Sequence, residues 1–394
     1  MNLNYAKRMD NIKASEIREL LKLTQQPQII SFAGGLPAPE SFPIEELTKI
    51  GRMVLEDTGV QALQYGSTEG YPPLREAISK RMAKTKVDVK ADDILVTSGS
   101  QQGLDFAAKI FINPGDIIVC ESPTYLGAIN AFKAYEPEFI EIDTDKDGMI
   151  MEDLEDTLKN NDKVKFIYVI PDFQNPSGKT WSIDRRKKLV ELANKYNVVI
   201  LEDNPYGELR FEGEILPAIK HYDEEGRVIF LGTFSKILCP GLRLGWVAAS
   251  PEILNKFIMV KQGADLQSST ISQMEVARFI EQYDLDDHIN KIIDLYRERR
   301  DLMMKTIEEE FPKEASYTYP EGGLFTWVVL PEYMNARELA VKALEQNVAY
   351  VPGGSFYPNG GNENTFRLNY SNMDNERIVE GIKRLGKVLK DEVK

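Results

Sequence analysis

Short runs of continuously apolar, mostly β-branched residues recur along the chain, alternating with segments of helical spacing. Ile94-Leu95-Val96-Thr97 precedes a stretch that sets Leu104, Ala107, Ala108 and Phe111 on one face. Asp116 to Cys120, Phe166 to Ile170, Val198 to Leu201 and Val228 to Leu231 repeat the apolar theme. Ser182 can cap a further helical stretch carrying Leu189, Leu192, Ala193 and Tyr196. A strand with one solvated face alternates apolar and polar residues. These runs do not alternate, so both of their faces are buried. The fold class that follows is α/β, a mostly parallel sheet covered by helices.

At 394 residues the chain has room for two domains. Asp287 to Phe311 carries Ile289, Ile292, Tyr296, Met303 and Ile307 at three- and four-residue steps, which predicts one long amphipathic helix leading out of the α/β unit. Beyond it Gly322 to Val329 reads as a strand, and the remainder as α+β. The first ~45 residues lack the sheet pattern and are expected to pack with this C-terminal part. The expected division is a large domain over 46–286 and a smaller α+β domain built from 1–45 with 287–394. The 48 basic and 62 acidic residues give a net charge of −14, which argues against a nucleic-acid surface. No run approaches the ~18 to 20 apolar residues of a membrane span, and Met1 to Ser15 has no apolar core of signal-peptide length. Cys120 and Cys239 are expected as buried thiols rather than a disulfide, in a cytoplasmic protein.

Four polar motifs follow four of the predicted strands: Ser98 to Gln102, Pro171 to Gly178, Glu202 to Tyr206 and Thr233 to Lys236. In open α/β sheets ligands bind at the carboxyl edge of the strands. Lys236 at such a mouth stands where an imine-forming amine is held and tuned by burial. The hydroxyls of Thr233 and Ser235 and the guanidinium of Arg243 can hold a phosphate beside it. A phosphate next to an imine-forming lysine points to pyridoxal 5'-phosphate (PLP). Ser100 and Gln101 open a helix, either as a further phosphate site or as a simple cap. Asp203 ends an apolar strand, so its carboxylate needs a partner: a protonated ring nitrogen or an internal ion pair. Asn175 and Tyr206 can donate to a ring oxygen, although Asn175 to Gly178 alone is equally a turn. Tyr125 either stacks on a planar ring or fills the core. Arg367, inside the apolar run Thr365 to Asn369, wants a bidentate carboxylate from a substrate or from the protein itself. Asp143 to Gly148 starts like a calcium loop but has Leu154 at the twelfth position, so it reads as a polar turn. His221 and His288 sit in unrelated segments, and no metal site is expected.

Taken together, these motifs resemble the class I/II aminotransferases of PLP fold type I, and in particular the branch of 2-aminoadipate and kynurenine aminotransferases. The matching pieces are Ser31 to Pro37, Leu63-Gln64-Tyr65-Gly66, Ser98 to Gln102, Asn175 to Gly178, Asp203 to Tyr206, Ser235-Lys236 with Gly241-Leu242-Arg243, and Arg367. Ser177 stands where the family often has threonine. The resemblance implies that Lys236 joins the cofactor as an imine and then shuttles a proton, that Asp203 holds the ring nitrogen, and that Asn175 and Tyr206 contact the ring oxygen. It gives Ser100, Gln101, Thr233, Ser235 and Arg243 the phosphate. Tyr65 is implied to reach the phosphate of the neighbouring subunit, which makes a homodimer with shared sites. Arg367 with Asn175 takes the substrate α-carboxylate, and Gly35 lines the pocket. A short helical pattern over Ala14 to Leu23 is implied to cover the substrate, with Arg18 reading a distal carboxylate. The activity implied is transfer of an amino group from an L-amino acid of the 2-aminoadipate, aromatic or branched aliphatic type to 2-oxoglutarate. The rival is a PLP-dependent C–S β-lyase, which uses nearly the same residues on the same fold.

Overall fold

A computed structural model describes residues 3–10, 12 and 26–393. Strand β1 (Ile30–Ser31) comes first, followed by the central sheet: β2 (Ile94–Thr97), β3 (Ile117–Ser122), β4 (Glu138–Asp145), β5 (Gly148–Met149), β6 (Val164–Val169), β7 (Val199–Asp203), β8 (Val228–Thr233) and β9 (Gly245–Ala248). The eight strands lie in the order β2-β9-β8-β7-β6-β3-β4-β5. From β4 to β8 through β3, β6 and β7 the pairing is parallel, while β9 runs antiparallel between β8 and β2. Two reversals leave β2 pointing the same way as β8. The four strands that carry the polar motifs therefore end at one edge. Sequence reasoning missed β4, β5 and β9 of this sheet; β9 escaped because Gly245 to Ala248 is short and follows directly on a motif loop.

Successive residues of each strand enter opposite layers of core, as the two-residue period requires. Phe166 and Tyr168 of β6 join Leu104, Phe132, Leu201 and Leu231 on one side. Ile167 and Val169 join Trp181, Leu189, Ala193 and Ile200 on the other. This two-sided burial is why the strands read as unbroken apolar runs. Asp143 to Gly148 forms the β4–β5 hairpin, with Asp145 opposite Gly148. Cys120 is buried, as expected, but Cys239 is only half-buried, because it lies in the loop past Lys236 rather than in a strand. No helix among the described residues is long and apolar enough to cross a membrane.

A 26-residue helix, Leu285–Glu310, leads out of this unit. Asp284 caps it by accepting from the Asp286 and Asp287 amides at 2.9 and 3.2 Å. Beyond it lie β10 (Ser316–Tyr317), β11 (Phe325–Val329), β12 (Val348–Ala349), β13 (Val351–Pro352) and β14 (Thr365–Asn369). Four of these form an antiparallel sheet in the order β10-β11-β14-β13, and β12 pairs in parallel with β1. The Phe32 amide donates to Ala349 and the Asn369 amide to Phe32, at 2.8 and 2.9 Å. The segment from Ile30 to Phe32 is thus stitched to the C-terminal part.

The loop after β6 is anchored by a fully buried ion pair. Arg186, on the helix Ile183–Tyr196, donates to both oxygens of Asp172 at 2.7 and 3.1 Å. Its remaining donors reach the carbonyls of Trp181, Pro217 and Pro171 at 3.0 to 3.2 Å. Such a pair is tolerated only because every donor is used. Asp172→Ala leaves the guanidinium uncompensated, and it should destabilise the protein by about 3–5 kcal/mol in chemical denaturation.

Candidate active site

Each of the four strand-end motifs delivers side chains to one cavity of about 350 Å³, closed on its other side by Gly35, Leu36, Phe325 and Arg367. Gly35, Ser100, Gln101, Tyr125, Asn175, Asp203, Tyr206, Thr233, Ser235, Lys236, Arg243 and Arg367 all line it. One of the residues singled out by sequence does not line it, and another lies outside the described residues. Tyr65 follows the helix Ile44–Ala62 and is 79% exposed, away from this chain's own cavity. Arg18 and the segment Ala14 to Leu23 lie outside the described residues.

At one part of the cavity the chain builds a cup for an anion. The helix Ser100–Phe111 opens from Gly99, whose φ of 79° suits glycine. A Cβ on Gly99 would sit 2.6 Å from Arg243 Nη2, so glycine here also makes room for the guanidinium. Arg243 Nη2 donates to the Ser98 carbonyl at 3.4 Å. Thr233 Oγ1 lies 3.0 Å from Ser235 Oγ, and the Ser235 amide donates to Thr233 Oγ1 at 3.1 Å. Free amides at a helix start, a guanidinium and two hydroxyls are donors whose chemistry suits a phosphate. The cup is held from behind by Lys261, which is wholly buried and donates to Gln102 Oε1 at 2.8 Å and Asp265 Oδ1 at 2.9 Å. Gln102 in turn accepts from the Ser98 amide at 3.0 Å, and Asp265 from the Ser98 hydroxyl at 3.0 Å. Sequence reasoning missed Lys261, since a lone helical lysine reads as a solvated one.

Asp203, 2% exposed, receives the Tyr168 hydroxyl on Oδ2 at 3.0 Å, while its buried Oδ1 has no hydrogen-bond partner among the described residues. Burial pushes its carboxyl up to about 7, against the lowering effect of the Tyr168 hydrogen bond. An ion pair inside the protein, the alternative that the sequence left open, is not formed among the described residues. Asn175 and Tyr206 are both buried, and the Asn175 amide donates to the Tyr206 hydroxyl at 3.4 Å. Arg367 donates to Asn175 Oδ1 and to the Ala33 carbonyl, each at 2.7 Å. Its guanidinium lies 4.2 Å from the Phe325 ring centre and 5.1 Å from that of Phe356. Arg367 Nε is buried without a partner, and no carboxylate of the protein pairs with this guanidinium among the described residues. Burial, partly offset by Tyr206 and Tyr125, pulls it down to about 10.

Lys236 Nζ donates to the Gly35 carbonyl at 2.7 Å. Burial first, and then the charges of Arg367 and Arg243, lower its ammonium to about 8. An amine so placed sheds its proton far more readily near neutral pH than an ordinary lysine does, as a nucleophile and base requires. Among the described residues the cavity holds three cations, Lys236, Arg243 and Arg367, against the single carboxylate of Asp203. The set fits PLP. The cup suits its phosphate, the orphaned Asp203 Oδ1 suits a protonated ring nitrogen, and Lys236 suits its carbonyl carbon.

The family model for aminotransferase class I and II matches residues 39–385. Aromatic-amino-acid aminotransferase 1 of Thermococcus litoralis is 51% identical over 388 residues, 97% of this chain and 93% of the relative. The kynurenine aminotransferase of Pyrococcus horikoshii superposes with a TM-score of 0.95 at 46% identity, covering 99% of this chain and 98% of that one. LysN, the α-aminoadipate aminotransferase of Thermus thermophilus, solved with N-(5'-phosphopyridoxyl)-L-leucine, gives 0.92 at 41% identity, covering 98% and 97%. The fold, the chemistry of the cavity and these relatives agree: the chain belongs to the class I and II aminotransferases, enzymes that use PLP, within the branch of the 2-aminoadipate and kynurenine enzymes.

Proposed function

We propose that this aminotransferase moves the amino group of an aromatic, 2-aminoadipate or branched aliphatic L-amino acid to 2-oxoglutarate, in two half-reactions at one cavity. The observation that carries this reading is the cavity's charge. Three cations against one carboxylate suit a phosphate together with a substrate carboxylate. Relatives named for aromatic, kynurenine and α-aminoadipate substrates support the donor class. The division of the chain into 46–286 and 1–45 with 287–394 sets the cavity between two domains, in a protein of the reducing cytoplasm.

When bound, PLP supplies an electron sink for the pair left behind as the substrate's α-proton departs. Ser100, Gln101, Thr233, Ser235 and Arg243 hold its phosphate, and Tyr125 covers a ring face. Asp203 Oδ1 accepts from the ring nitrogen and keeps the proton there, because a buried carboxylate without that partner is costly. Asn175 and Tyr206 donate to the ring oxygen. Arg367, with Asn175, binds the α-carboxylate in a place that excludes water, and Gly35 shapes the space beside it. Lys236 anchors the cofactor, and its uncharged Nζ takes the α-proton and delivers it to the neighbouring reacting carbon.

Borohydride reduction of the holoenzyme followed by peptide mapping should place the cofactor on Lys236, and Lys236→Ala should abolish transamination measured with a panel of amino donors and 2-oxoglutarate. A label on another lysine would refute the assignment. The amine must shed its proton to capture the cofactor, so the rate at which apoenzyme takes up PLP should climb with pH through about 8. A midpoint near the ordinary lysine value of 10.5 would show that the cavity does not tune Lys236.

The active unit is a homodimer in which Tyr65 reaches the partner's phosphate. Tyr65 lies outside its own cavity, and Val60 and Leu63 beside it are 90% and 75% exposed, an apolar surface that association would cover. Tyr65→Phe should weaken PLP binding by about 1.5 to 3 kcal/mol, the worth of one hydrogen bond to a charged group. A fully active monomer in sedimentation would overturn the shared site.

A further inference from the structure

Tyr168 is an aromatic residue in the middle of a buried strand, a position that reads as core. Its neighbours give it another task. Tyr168 of β6 pairs with Leu201 of β7, and Asp203 stands two residues beyond Leu201. Two residues is the repeat of a strand, so Tyr168 and Asp203 share one face of the sheet. The hydroxyl reaches Asp203 Oδ2 at 3.0 Å, and both residues are almost fully buried, at 0% and 2% exposure. The Tyr168 ring is fixed in turn by the edge of Phe132, 5.4 Å away at an interplanar angle of 83°.

We propose that Tyr168 is a positioning residue that acts on the cofactor through Asp203. A tyrosine hydroxyl has one proton to give, and here it is spent on one of the two carboxylate oxygens. That leaves Oδ1 as the only free acceptor of the buried carboxylate and stops the group from turning. It also favours the charged form of Asp203, which burial alone disfavours. A charged, fixed carboxylate holds a protonated ring nitrogen, whereas a neutral or turning one does not. The inference rests on the functional reading above, in which Asp203 meets that nitrogen.

Phenylalanine removes the hydroxyl and keeps the ring against Phe132, so Tyr168→Phe isolates the hydrogen bond. The affinity of apoenzyme for PLP is to be measured by fluorescence titration in four proteins: the wild type, Tyr168→Phe, Asp203→Asn and the double variant. The same titrations are repeated with an analogue carrying carbon in place of the ring nitrogen. Tyr168→Phe should weaken PLP binding roughly ten-fold or more, the effect of losing a bond to a charged group. It should leave the affinity for the analogue within about two-fold, and it should add nothing in the Asp203→Asn background. Equal losses for both ligands, an equal loss in the Asp203→Asn background, or no loss at all would overturn the role given to Tyr168. If the wild type itself captures no PLP on Lys236, the functional reading falls and this inference with it. Normal capture by the wild type with an unchanged Tyr168→Phe would sink this inference alone.

Discussion

One guanidinium joins the three parts of the chain that make the site. Arg367 projects from β14 of the C-terminal sheet, bonds Asn175 in the loop after β6, and bonds the carbonyl of Ala33 in the N-terminal segment. Phe325 and Phe356 contact it through their rings. Neither bond neutralises its charge, since an amide oxygen and a carbonyl are its acceptors. A buried cation left in that condition is costly, and an anionic substrate group relieves it. The same residue therefore serves as the mechanical joint of the site and, in the function proposed, as the group that takes the substrate carboxylate.

The cavity works against the character of the whole protein. A chain with a net charge of −14 concentrates three cations and one carboxylate in a single hollow. Low polarity there strengthens each charge's effect on the next. Lys236 loses its proton more readily because burial keeps water from it and, after that, because Arg367 and Arg243 are near. Asp203 is pushed the other way by the same burial and is held back by a single hydroxyl. The opposed shifts suit the base and the anchor of the function proposed, with no histidine in the cavity lining among the described residues.

Supporting residues carry much of the precision. The Arg186–Asp172 pair fixes the loop that bears Asn175, and Lys261 with Asp265 and Gln102 fixes the start of the helix under the phosphate cup. Arg186 and Lys261 are buried charges whose partners are in place, the arrangement in which buried polar groups give rigidity rather than cost.

Much of this was legible in the chain itself. Continuous apolar runs could be satisfied only by two-sided burial, so β2, β3, β6, β7 and β8 and the helices over them followed from composition and period. The strand-end motifs stood out because polar and charged residues so close to buried runs need a ligand or each other. Twelve of the residues singled out by sequence line one cavity. Other features were beyond reach. Strand β9 was too short to show a period, and its antiparallel insertion depends on pairing energies between distant segments. Tyr168, Lys261 and the Arg186–Asp172 pair look like core or solvated residues in sequence, because their roles come from register and approach across the fold. Residue type and local period are written along the chain, so the sequence determined the α/β class and the chemistry of the site. Which oxygen of Asp203 is left free, which charges face Lys236 and what closes the cavity are matters of distance between remote segments, and only the tertiary structure decided them.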